Sequence, residues 1–353
     1  MGGLTRYGAT RAELEALLGD EPRYRVEQVW DALWRRRVPL ADATELPGQL
    51  RARLDAALPL ALTALVQATS RDEATSKWRW ATHDGAQLET VLMRTPRRAS
   101  VCVSSQAGCA MGCPFCATGQ AGFERHLDAA EIVEQVLHAQ HATDQRVTNV
   151  VYMGMGEPLA NYEPVWESVT RLHDDLGLSA RRLTVSTVGV VPGMRRLARE
   201  ALPVTLAVSL HAPDDELRAR LVPLNHRYPI AEILDAAADV AGAHGRRVTF
   251  EYAGIAGVND GLDQAEALGR LLSTWPGVGG AHVNLIPLNP TAEYPGRAAS
   301  PGRLREFARR LQARGVTATV RRTQGRDIDA ACGQLTTLAV RPEPGAASSR
   351  MGP

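Results

Sequence analysis

Between residues 100 and 340 the chain alternates short β-branched and apolar runs with longer amphipathic stretches, and this alternation limits the fold more than any other feature. The strand-like runs fall at 100–105, 149–154, 182–187, 204–209, 247–252, 282–286 and 316–322. Apolar residues recur at i, i+3, i+4 over 129–141, 162–176, 231–243, 262–273 and 302–314, which predicts helices there. Alternation at this pitch implies right-handed βα crossovers and a parallel sheet covered by helices. Six or so units suit a partial (βα)6-type α/β barrel rather than a full eight-unit one. In such barrels the loops after the strands carry the chemistry.

The flanks read differently. Residues 1–62 predict a small helical accessory domain, with helical spacing over 12–18, 26–34 and 50–58 and breaks at Pro39 and Pro47. Trp30 and Trp34 are four apart, share a helix face and read as core. Residues 63–98 predict a β-hairpin linker, because 77–81 and 88–92 flank an Asp84-Gly85 turn. The barrel domain is then 99–340, and the Pro- and Gly-rich tail 341–353 is expected to be disordered.

Composition narrows the class. With 353 residues and 44% hydrophobic content there is material for one large domain and a small one. No apolar run approaches the roughly 18 residues that span a bilayer, and the first residues form no apolar signal segment. Five cysteines in a long chain do not suggest a disulfide framework. The expectation is a soluble, cytoplasmic protein with no membrane association. The formal net charge is +1, so charge alone does not announce a nucleic-acid binder. The single lysine is Lys77, and Arg doublets or triplets recur at 35–37, 97–98, 181–182, 246–247, 309–310 and 321–322. Arginine suits phosphate contacts and base stacking, although a GC-rich genome would also replace Lys by Arg.

Cys109, Cys113 and Cys116 lie in Gly-Cys-Ala-Met-Gly-Cys-Pro-Phe-Cys, directly after the first barrel strand. Three thiolates from one loop can hold three irons of a cubane cluster and leave the fourth open for chemistry, whereas four-cysteine clusters are closed. The competing reading is structural zinc, with Cys113 and Cys116 joined by Cys109 and either Cys102 or Cys332. That would make the chain a zinc-stabilised RNA-binding module without catalysis. An open iron at a barrel mouth suits reductive cleavage of S-adenosylmethionine, and Phe115 would shield the cluster or pack on adenine. Polar groups then recur at strand ends. Gly156 and Glu157 follow the second strand, Glu157 suiting an ammonium. Ser186 ends the third strand, Ser209-Leu210-His211 ends the fourth, and Asn289 follows a later one. Cys102 sits in the first strand and Cys332 after the last, so the two thiols could meet across the mouth and do thiol chemistry.

The segments 102–120, 153–159, 186–193, 209–214, 284–290 and 327–335 resemble the RlmN family. These are radical S-adenosylmethionine enzymes that methylate carbon 2 of an adenosine in 23S ribosomal RNA and, in some bacteria, in tRNA. The resemblance runs over the chain except its tail. It implies a 4Fe-4S cluster on Cys109, Cys113 and Cys116. It implies S-adenosylmethionine, two per turnover, held by Gly156, Glu157, Ser186, Ser209, Leu210, His211 and Asn289. By the same resemblance Cys332 is the methylated cysteine, Cys102 its resolving partner and Glu89, read here as an exposed strand residue, a proton acceptor. An external electron donor such as flavodoxin or ferredoxin, and a monomer, are expected. A Cfr-type enzyme, acting on carbon 8 of the same nucleoside, shares all five cysteines and stays open as an alternative.

Overall fold

The computed structural model describes residues 4–321 and 323–336; the tail 341–353, for which disorder is expected, lies outside the described residues. The chain begins with helices α1 (Arg11–Leu17), α2 (Tyr24–Trp30) and α3 (Gly48–Ala57). Thr10 caps α1 through a capping box with Glu13. After α2 the backbone widens into a π-helical stretch, Asp31–Arg36, that ends at Arg37 with φ 57°. Trp30 and Trp34 are buried with ring centroids 5.7 Å apart, as their spacing predicts. These helices share one apolar core with the rest of the molecule. Arg171 clasps the carbonyls of Tyr7, Gly8 and Ala9, and buried Glu134 accepts from the N–H groups of Ala61 and Leu62.

Four antiparallel strands follow: β1 (Leu62–Thr69), β2 (Thr75–Thr82), β3 (Gln87–Thr95) and β4 (Arg98–Cys102). The predicted hairpin is β2–β3, with Gly85 at φ 87° in its turn. It is no detached linker, because β3 pairs directly with β4 and carries the barrel sheet outward to β1.

Beyond β4 come a small ribbon, β5 (Gln106–Gly108) and β6 (Phe123–His126), with α4 (Ala117–Ala121) between them, then α5 (Ala129–His141). The alternating part continues as β7 (Val147–Tyr152), α6 (Tyr162–Asp174), β8 (Leu183–Thr187), α7 (Val191–Leu197) and β9 (Thr205–Ser209). It closes with α8 (Asp215–Leu221), α9 (Ile230–His244), β10 (Thr249–Gly254), α10 (Leu262–Ser273), β11 (His282–Pro287), α11 (Pro301–Ala313) and β12 (Thr317–Val320). The sheet order β4-β7-β8-β9-β10-β11-β12 is parallel throughout and does not close back on itself, which is the partial barrel the alternation implies.

The two faces of this sheet differ in chemistry. Val101, Val150, Val185, Leu206, Phe250 and Val283 pack under the helices and are fully buried. Register places Cys102, Val151, Thr184, Ser186, Ser209, Glu251, Asn284 and Thr319 on the opposite, concave face. A polar inner face cannot fill itself with side-chain packing, so it leaves room for ligands at the C-terminal strand ends.

Candidate active site

A cavity of about 1000 Å³ opens at those strand ends. Cys113, Cys116, Gly156, Glu157, Ser186, Ser209, His211, Asn289 and Cys332 all line it, although they come from six separate stretches of chain. A second cavity of about 380 Å³ adjoins it and is bordered by Cys109, Cys113 and Cys116 together with Gly154, Gly156 and Glu157. Cys102 lies on the same concave face, opposite Val91 of β3, and Glu89 lies two residues further along that face.

Backbone hydrogen bonds shape the floor. Gly154 N–H donates to Val103 O at 3.0 Å, and Ser105 and Gln106 N–H both donate to Met155 O. A Cβ on Gly154 would stand 2.6 Å from Val103 O, so only glycine lets β4 and β7 close here. Gly156 adopts φ 97° with Gln106 against its Cα face.

Glu157 is buried. Its carboxylate accepts from Leu159 N–H at 3.0 Å and Val188 N–H at 2.8 Å, so it ties the end of β7 to the end of β8. Burial pushes its carboxyl up to about 7 against these hydrogen bonds, and an arriving ammonium would draw it back down. Ser186 Oγ donates to Tyr152 O at 2.6 Å. His211 holds a left-handed backbone, φ 61°, unusual for a residue other than glycine. Its Nδ1 accepts from Ala253 N–H at 3.0 Å, so in the neutral ring the proton sits on Nε2. Burial, assisted by the Arg218 charge, pushes this imidazole down to about 3. Leu210 is fully buried, and its backbone N–H donates to Glu251 O. Phe115 meets the His211 ring edge-on at 5.1 Å and Tyr294 at 6.5 Å, which walls one side of the cavity.

The carboxy-terminal loop is fastened to the cysteine loop. Ala117 N–H donates to Gly333 O at 2.8 Å, Thr118 Oγ1 to Leu335 O at 2.6 Å, and Asn289 Nδ2 to Cys332 O at 2.9 Å. Cys332 is thereby brought into the cavity that Cys116 lines, and its exposed surface opens into that space. Although that surface is open to the cavity, the protein enclosing it raises the Cys332 thiol to about 11, and the Arg321 charge opposes the rise. The Cys102 thiol is raised to about 12, first by burial and then by the Cys332 charge.

One expectation changes. Glu89 is not exposed: it is 1% accessible, ion-paired to Lys77 Nζ at 3.1 Å, and accepts from Thr336 N–H at 3.1 Å. Facing the concave side of β3, it is held by the strand and loop on either side. The arginine clusters do not form one surface. Arg98 opens β4, and Arg181, Arg182 and Arg247 precede strands, so all four sit at the end of the sheet away from the cavity. Arg310 is ion-paired to Glu266 at 3.2 Å, and Arg36 and Arg309 pair with Glu45 and Glu306. Arg322 is outside the described residues.

Sequence reasoning missed two buried charges. Arg218 has no exposed surface and donates to Leu210 O, Val188 O, Ser209 O and Asn225 Oδ1, so it clamps the β8 and β9 ends together. One Arg in a seven-residue helix carries no signal for this. Glu251 lines the main cavity and accepts from Asn284 Nδ2 at 2.9 Å. Its signal was available: an acid at an inward position of an otherwise apolar strand.

The donor set fits an iron–sulfur cluster. Three thiols from one loop border one cavity. Burial pushes the Cys109 thiol up to about 12 and the Cys113 thiol further, so metal must displace their protons. No helix among the described residues is long and apolar enough to cross a membrane.

Comparisons with known proteins agree with this geometry. Residues 103–268 match the family model described as the radical SAM superfamily. The chain is 53% identical over 341 residues to a probable dual-specificity RNA methyltransferase RlmN of Frankia alni, covering 92% of this chain and 80% of that protein. It is 52% identical to the protein of the same description from Salinispora tropica, covering 93% and 90%. A radical SAM methyltransferase crystal structure from Sphaerobacter thermophilus superposes with a TM-score of 0.89 at 49% identity, covering 94% of this chain and 99% of that one.

Proposed function

The chain belongs to the RlmN family of radical S-adenosylmethionine RNA methyltransferases, and on that premise we propose that it methylates carbon 2 of an adenosine in 23S ribosomal RNA, and of an adenosine in tRNA, by way of a methyl group carried on Cys332. The observation that supports this reading is that Cys332 lines the same cavity as Cys113 and Cys116, with Cys102 on the concave face of the sheet.

As a family member it uses a 4Fe-4S cluster and S-adenosylmethionine; we assign the cluster to Cys109, Cys113 and Cys116. Gly156, Glu157, Ser186, Ser209, Leu210, His211 and Asn289 are the proposed S-adenosylmethionine contacts, with two molecules used per turnover. When bound, this pair supplies an electron and a 5′-deoxyadenosyl radical.

The remaining steps belong to the chain's own groups. Adenine carbon 2 is electron-poor and offers no nucleophile, so a protein sulfur must carry the methyl. Cys332 sulfur gives up its proton and takes the methyl by displacement. Once a hydrogen is removed from that S-methyl group, its carbon adds to the ring, and the RNA is covalently held by Cys332. Loss of the ring proton, with Glu89 as acceptor, and attack of the Cys102 sulfur on the Cys332 sulfur break the sulfur–carbon bond; the freed carbon takes the proton that Cys102 gives up and becomes the methyl group, and the remaining unpaired electron passes back to the electron carrier that supplied it. A Cys102–Cys332 disulfide is left, which an external reductant must reopen. We assign the cluster's electron to a flavodoxin or ferredoxin and read the enzyme as a monomer.

The target base must leave its stack to reach a barrel mouth. Residues 1–62 are read as an accessory RNA-binding domain, 63–98 as the connecting strands and 99–340 as the barrel. Exposed Arg227, between α8 and α9, and exposed Arg297, on the loop after β11, are read as phosphate contacts.

The test is Cys102→Ala. It retains a methylatable Cys332 and should therefore accumulate a covalent protein–RNA adduct through that residue. A denaturing gel with and without nuclease displays it. Normal turnover of Cys102→Ala, or no adduct despite a methylated Cys332, would refute the resolving role.

A further inference from the structure

Cys332 borders two cavities. Besides the cofactor cavity, a separate space of about 380 Å³ lies against it, lined by Met93, Arg321, Thr323, Gln324 and Ala331, and shares Asn289 with the first. Nothing in the cofactor chemistry uses this space.

Two of its polar groups have no partner among the described residues. Arg321 is anchored by its backbone N–H to Leu285 O at 2.8 Å, but its guanidinium makes no hydrogen bond or ion pair among the described residues. Thr323 Oγ1 is buried with no hydrogen-bond partner. Leaving a buried hydroxyl unpaired is costly, which points to a ligand group that completes it. Gln324 is exposed at the rim, where its amide offers a donor and an acceptor side by side. Met93 adds a polarizable sulfur suited to an aromatic ring.

We propose that this second cavity receives the unstacked target base, an adenine, with Gln324 and Thr323 reading its polar edge, Arg321 against the ring and the Cys332 sulfur as the partition between base and cofactor. The inference rests on the reading that Cys332 carries the transferred methyl. A methyl on that sulfur then faces hydrogen removal from one cavity and the acceptor carbon from the other. An Asn or Gln amide matches adenine's adjacent amine donor and ring acceptor, whereas guanine presents two acceptors at its corresponding edge. Guanidinium planes and aromatic faces are common platforms for splayed RNA bases.

The experiment uses the full-length holoprotein and a 23S ribosomal RNA fragment carrying either adenosine or purine riboside at the target position. Purine riboside keeps the carbon 2 hydrogen and lacks the amine. Methylation of Cys332, which needs no RNA, is measured by intact mass in every variant and reports an intact fold and cofactor site. Wild type should favour adenosine over purine riboside by about 5- to 150-fold, the range for one bidentate base contact. Gln324→Ala should bring that ratio towards one. Thr323→Val, nearly isosteric, should slow RNA methylation, and Arg321→Lys should slow it further. If Gln324→Ala keeps both the rate and the adenosine preference, the cavity does not read the base. An effect of Arg321→Lys confined to the salt dependence of RNA affinity would mean a phosphate site instead and also overturn the proposal. Failure of wild type to methylate Cys332, or RNA methylation without it, would overturn the underlying functional reading as well.

Discussion

Replacing Gly154 by Ala should damage both stability and cofactor binding, because the added atom meets backbone on the floor of the cavity. Its Cβ would lie 2.6 Å from Val103 O, 2.7 Å from Val103 C and 2.8 Å from Ser104 N, where ordinary contact begins at 3.4 Å. The nearest pair must therefore separate by 0.8 Å, which is 3.4 minus 2.6. No side chain is available to swing aside. The movement has to open the β4–β7 junction and strain the Gly154 N–H to Val103 O bond. Overpacking of this kind costs about 1–3 kcal/mol. In a large domain that lowers Tm by about 2–4 °C per kcal/mol. Gly154 lines both the cofactor cavity and the cysteine-bordered one. A comparable share of that strain appearing in binding would weaken S-adenosylmethionine affinity by about tenfold, the equivalent of 1.4 kcal/mol. Urea unfolding and equilibrium titration of the cluster-loaded protein measure the two effects. Gly242, inside α9, is the control: a Cβ there meets nothing within 4 Å. Gly242→Ala should stabilise by about 0.5–1 kcal/mol through helix propensity. Wild-type stability together with wild-type affinity for Gly154→Ala would show that the junction is softer than this reasoning holds.

Cys113→Ala should purify without iron, colourless and unable to cleave S-adenosylmethionine; a reducible cluster in that variant would remove the metal assignment. His211 predicts an acid dependence of stability. Above its ordinary value of 6.5 the ring is neutral folded or unfolded; below it the unfolded chain gains a proton that the buried ring refuses until about 3, so stability is lost as pH falls through that window. His211→Asn, which tolerates the left-handed backbone, should flatten the fall in unfolding free energy between pH 6.5 and 5, and an unchanged slope would count against burial as the cause. Arg227→Ala and Arg297→Ala should each lower the salt dependence of RNA binding by roughly one phosphate contact, about 0.7–0.9 in the log–log slope. Arg97→Ala and Arg181→Ala, at the far end of the sheet, should leave it unchanged; equal effects from both pairs would mean that RNA does not approach the mouth.

Truncation of the first 60 residues is a poor test of RNA binding. Leu14, Leu33, Trp34 and Leu54 belong to the same buried cluster as Val136 and Leu172 of the barrel helices, so the deletion would strip a core face.

The sequence by itself determined the alternation and the chemistry-bearing loops. Helices at 129–141 and 262–273 are found at those limits, because their apolar stripes are long and strictly periodic. The three-cysteine spacing and the polar residues at strand ends were legible because both are local patterns. Helices α7 and α8 were not, since seven residues hold less than two full periods. Strand β1 was also missed; it is an edge strand with one exposed face after another and no alternation to detect. Only the tertiary structure decided which loops border the cavity. Thr118 and Leu335 are 217 residues apart, and the hydrogen bond between them sets Cys332 beside the cysteine loop. Likewise Glu89 is buried by partners on another strand and at position 336, and Arg218 by carbonyls from two strand ends. Periodicity reports which face of an element is apolar. It carries no information about which loops a sheet's order brings together, and that order is settled by packing over the whole chain.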